Sequence, residues 1–237
     1  MAQTLMNITD FPVQINPYVR WSLYDRAVVI GMSGSGKTTW VKQLIPRVVG
    51  WWDVPIYILD SKGQNEFDNI ATELHNDQRA PHIRPDNGGI LVWKPPLDDY
   101  VEYENWFNFI LKTRQPCLLV LDELASLGKG RADTYPPSYQ LLLKQGRGMK
   151  MCMVSMTQEV AYIPRQVAGQ TSHVLRFHLI NSYDVAQSAR ILGIGEAQKH
   201  MEPPLPYGFF YRRVDKPSPI YSFTNWQQFF SMGVAMG

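Results

Sequence analysis

Ala27-Val28-Val29-Ile30-Gly31-Met32-Ser33-Gly34-Ser35-Gly36-Lys37-Thr38-Thr39 reads as an apolar strand running directly into a glycine-spaced loop. The loop satisfies G-x-x-x-x-G-K-[ST], and each part of that pattern has a physical purpose. Glycines let the backbone curl so that successive N–H groups converge on a phosphate, and the helix that follows adds its positive N-terminal end. The pattern therefore predicts phosphate binding by Gly31, Ser33, Gly34, Ser35, Gly36, Lys37, Thr38 and Thr39. Lys37 is expected to reach the β- and γ-phosphates, and the Thr38 hydroxyl to ligate Mg2+.

Outward from this loop, short apolar runs recur at 56–59, 90–93, 117–121, 151–155 and 174–179. Continuous apolar character, rather than alternation, is what strands covered on both faces require. Tyr103, Trp106, Phe107, Ile110 and Leu111 lie at helical spacing between two of these runs and form one apolar stripe. Strand alternating with helix predicts an α/β fold, a mostly parallel twisted sheet with helices on both faces. Residues 208–211 and 219–223 read as a late hairpin, and 226–230 as a closing helix. The expected organisation is an N-terminal extension, 1–26, packed on a single domain spanning 27–237.

Composition narrows the function classes. Among 237 residues, 23 basic and 21 acidic side chains leave a formal charge of +2, which gives no support to a nucleic-acid binder acting through bulk positive charge. The 45% hydrophobic content excludes the acidic, aromatic-poor composition of disorder. Cys117 and Cys152 are too few for a disulfide framework and fall in predicted core strands, which points to a reducing, cytoplasmic compartment. Neither a basic region followed by an apolar run nor a membrane-length apolar stretch is visible, so no signal peptide and no membrane span are expected. His75, His82, His173, His178 and His200 have no metal-ligand spacing, and Trp51-Trp52 reads as packing under the first helix.

Three further features carry chemistry. The strand at 117–121 delivers Asp122-Glu123 at its C-terminal end, where open α/β sheets place their ligands. Asp122 suits a hold on Mg2+, and Glu123 suits a general base that orients an attacking water, which favours hydrolysis over kinase chemistry. The strand at 151–156 ends in Thr157-Gln158, which places the Gln158 amide where it can sense a γ-phosphate. Gln145-Gly146-Arg147-Gly148 holds an arginine in a flexible setting, read either as a solvated surface residue or as one donated across a subunit interface. The loop Leu127-Gly128-Lys129-Gly130-Arg131-Ala132 offers Lys129 and Arg131 as contacts to a nucleic-acid backbone.

Together, GMSGSGKTT, LDSKGQNEF, LLVLDELASL and GRGMKMCMVSMTQ, followed by ARILGIGEA and LPYGFFYRR, resemble the FtsK–HerA superfamily of DNA-pumping ATPases over about residues 27–211. The first and third segments correspond to its Walker A and Walker B motifs. The resemblance implies a RecA-like P-loop fold and ATP with Mg2+ as cofactors. Lys37, Glu123, Gln158 and Arg147 would be the catalytic set, with Thr38 and Asp122 at the metal and Asp60 near the site. Ser61 stands where that superfamily usually has Pro, Gln64 where Glu is common, and Lys150 where Gly is usual. The absence of room for a β-barrel, membrane region or winged helix makes the chain similar to genome-packaging ATPases of membrane-containing icosahedral viruses. The implied activity is ATP-driven translocation of double-stranded DNA into a preformed capsid by a homo-oligomeric ring, a hexamer. Partners would be capsid or membrane proteins of a virion vertex, and the location the host cytoplasm or the virion. Single-stranded DNA export in phage assembly, conjugative transfer, a small-molecule nucleotide kinase and a non-catalytic nucleotide switch are the alternatives.

Overall fold

Each apolar run of the sequence becomes a strand because it has a hydrophobic layer on either side. The structure, a computed structural model, describes residues 5–7, 21–128, 135–193, 202–215 and 218–231. Ten strands form one sheet: β1 (Leu5–Asn7), β2 (Arg26–Ile30), β3 (Ile56–Leu59), β4 (Glu73–His75), β5 (Ile90–Trp93), β6 (Cys117–Leu121), β7 (Met151–Thr157), β8 (His173–Arg176), β9 (Phe209–Arg213) and β10 (Ile220–Phe223). Their spatial order is β1-β10-β9-β8-β2-β7-β6-β3-β5-β4. From β8 to β4 the pairing is parallel throughout. β9 and β10 are the expected hairpin, with β9 running antiparallel to β8. Leu5–Asn7 adds a parallel strand beyond β10.

Alternate residues of every central strand serve opposite faces. Val28 and Ile30 belong to one apolar layer, together with Trp106, Phe107 and Ile110 of α2 (Tyr100–Thr113), Tyr139 and Leu142 of α3 (Pro137–Gln145), Val167 of α4 (Arg165–Gln170) and Val185 and Leu192 of α5 (Ser182–Leu192). Ala27 and Val29 belong to the other, under Trp40, Val41, Leu44 and Val48 of α1 (Lys37–Trp52) and Phe229 and Phe230 of α6 (Trp226–Ser231). This two-sided burial is the reason the strands read as unbroken apolar runs. The side chain of Trp52 packs against the second layer at the end of α1, and both cysteines are buried. Burial raises the Cys117 thiol to about 12, so it behaves as a small hydrophobe.

The sequence reading omits β4. This edge strand is three residues long and half-exposed, without the apolar run that marks a covered strand. The run at 174–179 is also shorter as a strand than as a sequence pattern, because β8 ends at Arg176 and the chain turns away after Phe177 donates to the Ile30 carbonyl at 2.7 Å. Caps explain two helix starts. Asp99 accepts from the N–H groups of Val101 and Glu102 to begin α2, and Asn181 accepts from Tyr183 N–H to begin α5. Among the described residues, no helix is long and apolar enough to cross a membrane.

One buried polar network lies at the opposite end of the sheet from the phosphate loop. Asp25, just before β2, accepts from Arg213 Nη2 at 3.3 Å and from Ser22 N–H at 2.7 Å, and His173 Nε2 lies 3.2 Å from its Oδ2. The His173 ring is fully buried, stacked on Trp21 with centroids 4.1 Å apart, and its Nδ1 is 2.8 Å from the Tyr211 hydroxyl. Burial lowers the pKa of this imidazole, so it is neutral at physiological pH, with its proton on Nε2 toward the carboxylate and Nδ1 accepting from Tyr211. Burial by itself raises the Asp25 carboxyl, but His173, Arg213 and the Ser22 N–H outweigh it and hold the pKa at about 2.

A carboxyl depressed on folding gives stability above its unfolded pKa of 3.8 and loses it as pH falls toward its folded value. Urea unfolding of wild type between about pH 5 and about pH 2 is therefore expected to lose about 2 kcal/mol through Asp25. Asp25→Asn should remove that share of the acid slope and destabilise the neutral protein. Identical acid slopes for the two proteins would contradict the assignment.

Candidate nucleotide site

The parallel register brings four strand ends to one edge. Ile30 pairs with Thr157, Leu121 with Ser155, and Leu59 with Leu121. Gly31, Gln158, Asp122 and Asp60 therefore emerge side by side from β2, β7, β6 and β3. Backbone bonds continue the ladder past the strands, from Gly31 N–H to the Thr157 carbonyl at 3.2 Å and from Asp122 N–H to the Leu59 carbonyl at 3.0 Å. Gln158 and the phosphate loop border a cavity of about 630 Å³, lined by Ser33, Gly34, Gly36, Lys37, Thr38, Thr39, Lys62 and Gln158.

Two glycines of the loop are dictated by geometry. Gly36 has φ +100°, a conformation that L side chains rarely adopt. At Gly31 a Cβ would lie 2.6 Å from Phe177 Cβ and 2.7 Å from Ser35 Oγ, so the chain passes too closely for any side chain. Lys37 opens α1 and turns back to donate to the Gly31 carbonyl at 2.7 Å and the Met32 carbonyl at 2.8 Å. An ammonium has three donors, so two carbonyls leave one for a ligand. Burial lowers its pKa to about 8, helped by Lys62 and opposed by Glu123 and Asp122.

The acidic pair is held by cations and N–H groups. Lys62 Nζ lies 3.5 Å from Asp122 Oδ2 and 3.3 Å from Glu123 Oε2, and donates to the Asp122 carbonyl at 3.4 Å. Glu123 Oε1 accepts from Gln158 N–H at 3.3 Å and Ala125 N–H at 3.4 Å. The carboxylate two residues beyond β6 is thus tied to the residue that follows β7. Thr157 forms a local turn, its hydroxyl accepting from Glu159 N–H at 3.1 Å, while the side chain of Gln158 lines the cavity. Ser126 Oγ donates to Ser61 Oγ at 2.8 Å, so the hydroxyl in the usual Pro position couples the loop after β3 to the turn that carries Glu123. Lys94 Nζ at the end of β5 pins the same loop through Asn65 Oδ1 at 2.6 Å and Asp68 Oδ2 at 2.7 Å. Burial raises Asp60, opposed by the Gly63 N–H that it accepts at 3.0 Å.

These residues fit a nucleotide with a divalent cation. Asp122 is nearly fully buried, and its Oδ1 has no partner, as is true of Asp60 Oδ2 and Ser35 Oγ. Unpaired buried oxygens facing one edge are costly unless a ligand completes them. Among the described residues no group of three His, Cys, Asp or Glu side chains could enclose a metal. A sparse donor set, such as the Thr38 hydroxyl and Asp122, is what Mg2+ takes when phosphates and waters complete its shell.

Two residues of the sequence reading lie elsewhere. Arg147 is exposed at the far end of β7, where its guanidinium donates to the Gln170 carbonyl at 3.1 Å. β7 spans seven residues, so Arg147 is roughly 20 Å from the cavity of its own chain at strand spacing. Lys150, in the usual Gly position, keeps a left-handed backbone with φ 57°. Lys129 and Arg131 lie outside the described residues. Lys62 is the site residue that motif reasoning passed over. It stands two positions after Asp60 within the quoted LDSKG, and only the folded loop aims it at a pair sixty residues away.

No protein-family model matches the sequence, and no curated protein matches it significantly. Solved structures do match. The genome packaging NTPase B204 from Sulfolobus turreted icosahedral virus 2, in complex with ATP-gammaS, superposes with a TM-score of 0.70 at 16% identity, covering 86% of this chain and 99% of that one. The DNA-packaging ATPase B204 from Sulfolobus turreted icosahedral virus gives 0.67 at 17%, covering 85% and 98%. The pCW3 conjugation coupling protein TcpA with ATPgS gives 0.59 at 14%, covering 85% of this chain and 60% of that one. The chain has the α/β P-loop NTPase fold, as its sequence resemblance implies.

Burial raises the Asp122 carboxyl to about 6, with Lys62 pulling it down and Asp60, Glu66 and Glu123 pushing it up. A carboxyl raised on folding stabilises when protonated, and that contribution is lost as pH rises through about 6. Two outcomes are expected. Asp122→Asn should gain about 3 kcal/mol of stability at neutral pH. Mg2+-dependent binding of a non-hydrolysable nucleotide by wild type should weaken below about pH 6, and Lys62→Met should move that break to higher pH. Calorimetry across this range reads both, and a break that stays in place in Lys62→Met would refute the role of Lys62.

Proposed function

We propose that this chain is an ATP-driven translocase of double-stranded DNA that acts as a homo-oligomeric ring, a hexamer, and packages a viral genome into a preformed capsid. The hydrolytic reading is carried by one observation: the carboxylate of Glu123 accepts the backbone N–H of Gln158 at 3.3 Å, and Gln158 lines the phosphate-loop cavity. A base locked to the adjacent strand end suits water activation. Water oxygen attacks the γ-phosphorus, its proton passes to the Glu123 carboxylate, and the bond from γ-phosphorus to the β,γ-bridging oxygen breaks to release ADP. Lys37 offsets charge on the phosphates, and Mg2+ held by Thr38 and Asp122 would supply Lewis-acid charge neutralisation there. The same hydrogen bond gives Gln158 a way to report the phosphate state to β7.

Arg147, remote from its own cavity, is proposed to reach a neighbour's nucleotide in the ring. Lys129 and Arg131 follow directly on Gly128, five residues beyond Glu123, and are proposed to grip the DNA backbone. Nearly full-length coverage of the two B204 packaging proteins, against 60% of the conjugation protein, favours packaging over conjugative transfer. Capsid or membrane proteins of a virion vertex would then be the docking partners, in the host cytoplasm or the virion.

ATP turnover should rise on adding duplex DNA, and Glu123→Gln should lower it by about 10²–10⁴-fold while still binding nucleotide. The Lys129→Ala/Arg131→Ala double variant should keep basal turnover and lose the DNA response. Mass measured with bound nucleotide should correspond to a closed ring. DNA-indifferent turnover by a stable monomer would defeat the motor reading, and stimulation by single strands alone would favour transfer or export.

A further inference from the structure

The phosphate loop, Lys62 and Gln158 line one end of the cavity only. The other end is walled by Phe177, Tyr207, Asn225, Trp226 and Gln227, which come from the last strand–helix segments of the chain. Sheet order explains the division. β7, β6 and β3 lie on one side of β2 and bring Gln158, the acidic pair and Lys62, whereas β8, β9 and β10 lie on the other. A volume of about 630 Å³ exceeds what a triphosphate alone would occupy and falls within the range of sites for nucleotide-sized ligands.

The aromatic wall is fixed relative to the loop. A Cβ on Gly36 would lie 3.5 Å from Tyr207 Cδ1, so the tyrosine ring lies against the loop itself. α6 is clamped to α1, with Trp40 5.6 Å from Phe229 and 5.8 Å from Phe230 between ring centroids and the Arg47 guanidinium 4.1 Å above Phe230. Trp226 and Asn225 stand at the start of that helix. Tyr207 is 54% exposed, which leaves part of its ring open toward the cavity it lines. Trp226 is half-buried, packed against the second apolar layer while also lining the cavity. Asn225 is oriented too: its Oδ1 accepts from Gln228 N–H at 2.9 Å, which leaves the NH2 group as the donor of a residue that lines the cavity.

We infer that this end of the cavity is a purine-base subsite, with Tyr207 and Trp226 supplying the stacking faces and the Asn225 NH2 donating to a ring nitrogen of the base. This deepens the nucleotide reading above and rests on it. Two aromatic faces favour the larger purine ring, and both purines offer an N7 acceptor to a donor-only amide. ATP and GTP should therefore bind alike, CTP more weakly and inorganic tripolyphosphate more weakly still.

The test is calorimetric binding of ATP, GTP, CTP and tripolyphosphate, each with Mg2+, to the full chain. Tyr207→Ala and Trp226→Ala should each weaken ATP about tenfold and leave tripolyphosphate unchanged, which also shows that the variants are folded. Tyr207→Phe and Trp226→Phe should restore ATP affinity. Tripolyphosphate binding as tightly as ATP in wild type, or equal losses for both ligands in the alanine variants, would overturn the subsite while leaving the phosphate loop intact. Wild-type protein that binds neither ligand would overturn the phosphate reading and the subsite together.

Discussion

The site depends on the level at which parallel strands end. β2, β7, β6 and β3 are held in one register by their backbone ladders, and that register alone sets Gly31, Gln158, Asp122 and Asp60 along a common edge. A slip of one residue in a strand buried on both faces would exchange its two apolar sets and push the terminal charge into a hydrophobic layer. The register is therefore enforced by packing far from the cavity: Val28 and Ile30 against one layer, Ala27 and Val29 against the other. The chemistry inherits its precision from the core.

That arrangement works against charge. Asp122, Lys37 and Asp60 are all nearly buried, and burial is the largest influence on each, raising the carboxyls and lowering the ammonium. Asp122 Oδ1 and Asp60 Oδ2 are left without hydrogen-bond partners at the edge where the apolar strands end. Lys62 offsets part of this cost by standing between Asp122 and Glu123 at 3.5 Å and 3.3 Å. The Asp25 network shows the contrast. Asp25 is as buried as Asp122, but His173, Arg213 and Ser22 satisfy it, and its pKa falls to about 2 instead of rising. The Asp25 carboxylate is completed by the fold; the two at the strand ends each keep an oxygen without a partner.

The C-terminal segments matter for the same geometric reason. The β9–β10 hairpin extends the sheet antiparallel beyond β8, so α6 packs on the same face as α1. Trp40, only three residues after Lys37, meets Phe229 and Phe230 there. One aromatic cluster thus holds the phosphate-loop helix and the far wall of the cavity as a unit, and Tyr207 closes the space between them.

Local chemistry made the phosphate loop, the covered strands and the acidic strand end legible from residues alone. Gly36 needs a positive φ, unbroken apolar runs need two covers, and Asp-Glu after such a run must sit at an edge. Even Lys150 followed this logic, since the backbone keeps the left-handed turn its neighbours require. Edge strand β4 was not legible, because a half-exposed three-residue strand has no apolar signature. Nor was the approach of Lys62 to Asp122 and Glu123, or of Tyr207 to Gly36, since contacts between residues some sixty and 170 positions apart are fixed by sheet order and not by spacing. The distance of Arg147 from its own cavity was likewise set by the direction of β7. Sequence determined which groups are offered for phosphate binding and water activation; tertiary structure decided which of them face one another, because strand order and register are settled by packing over the whole chain.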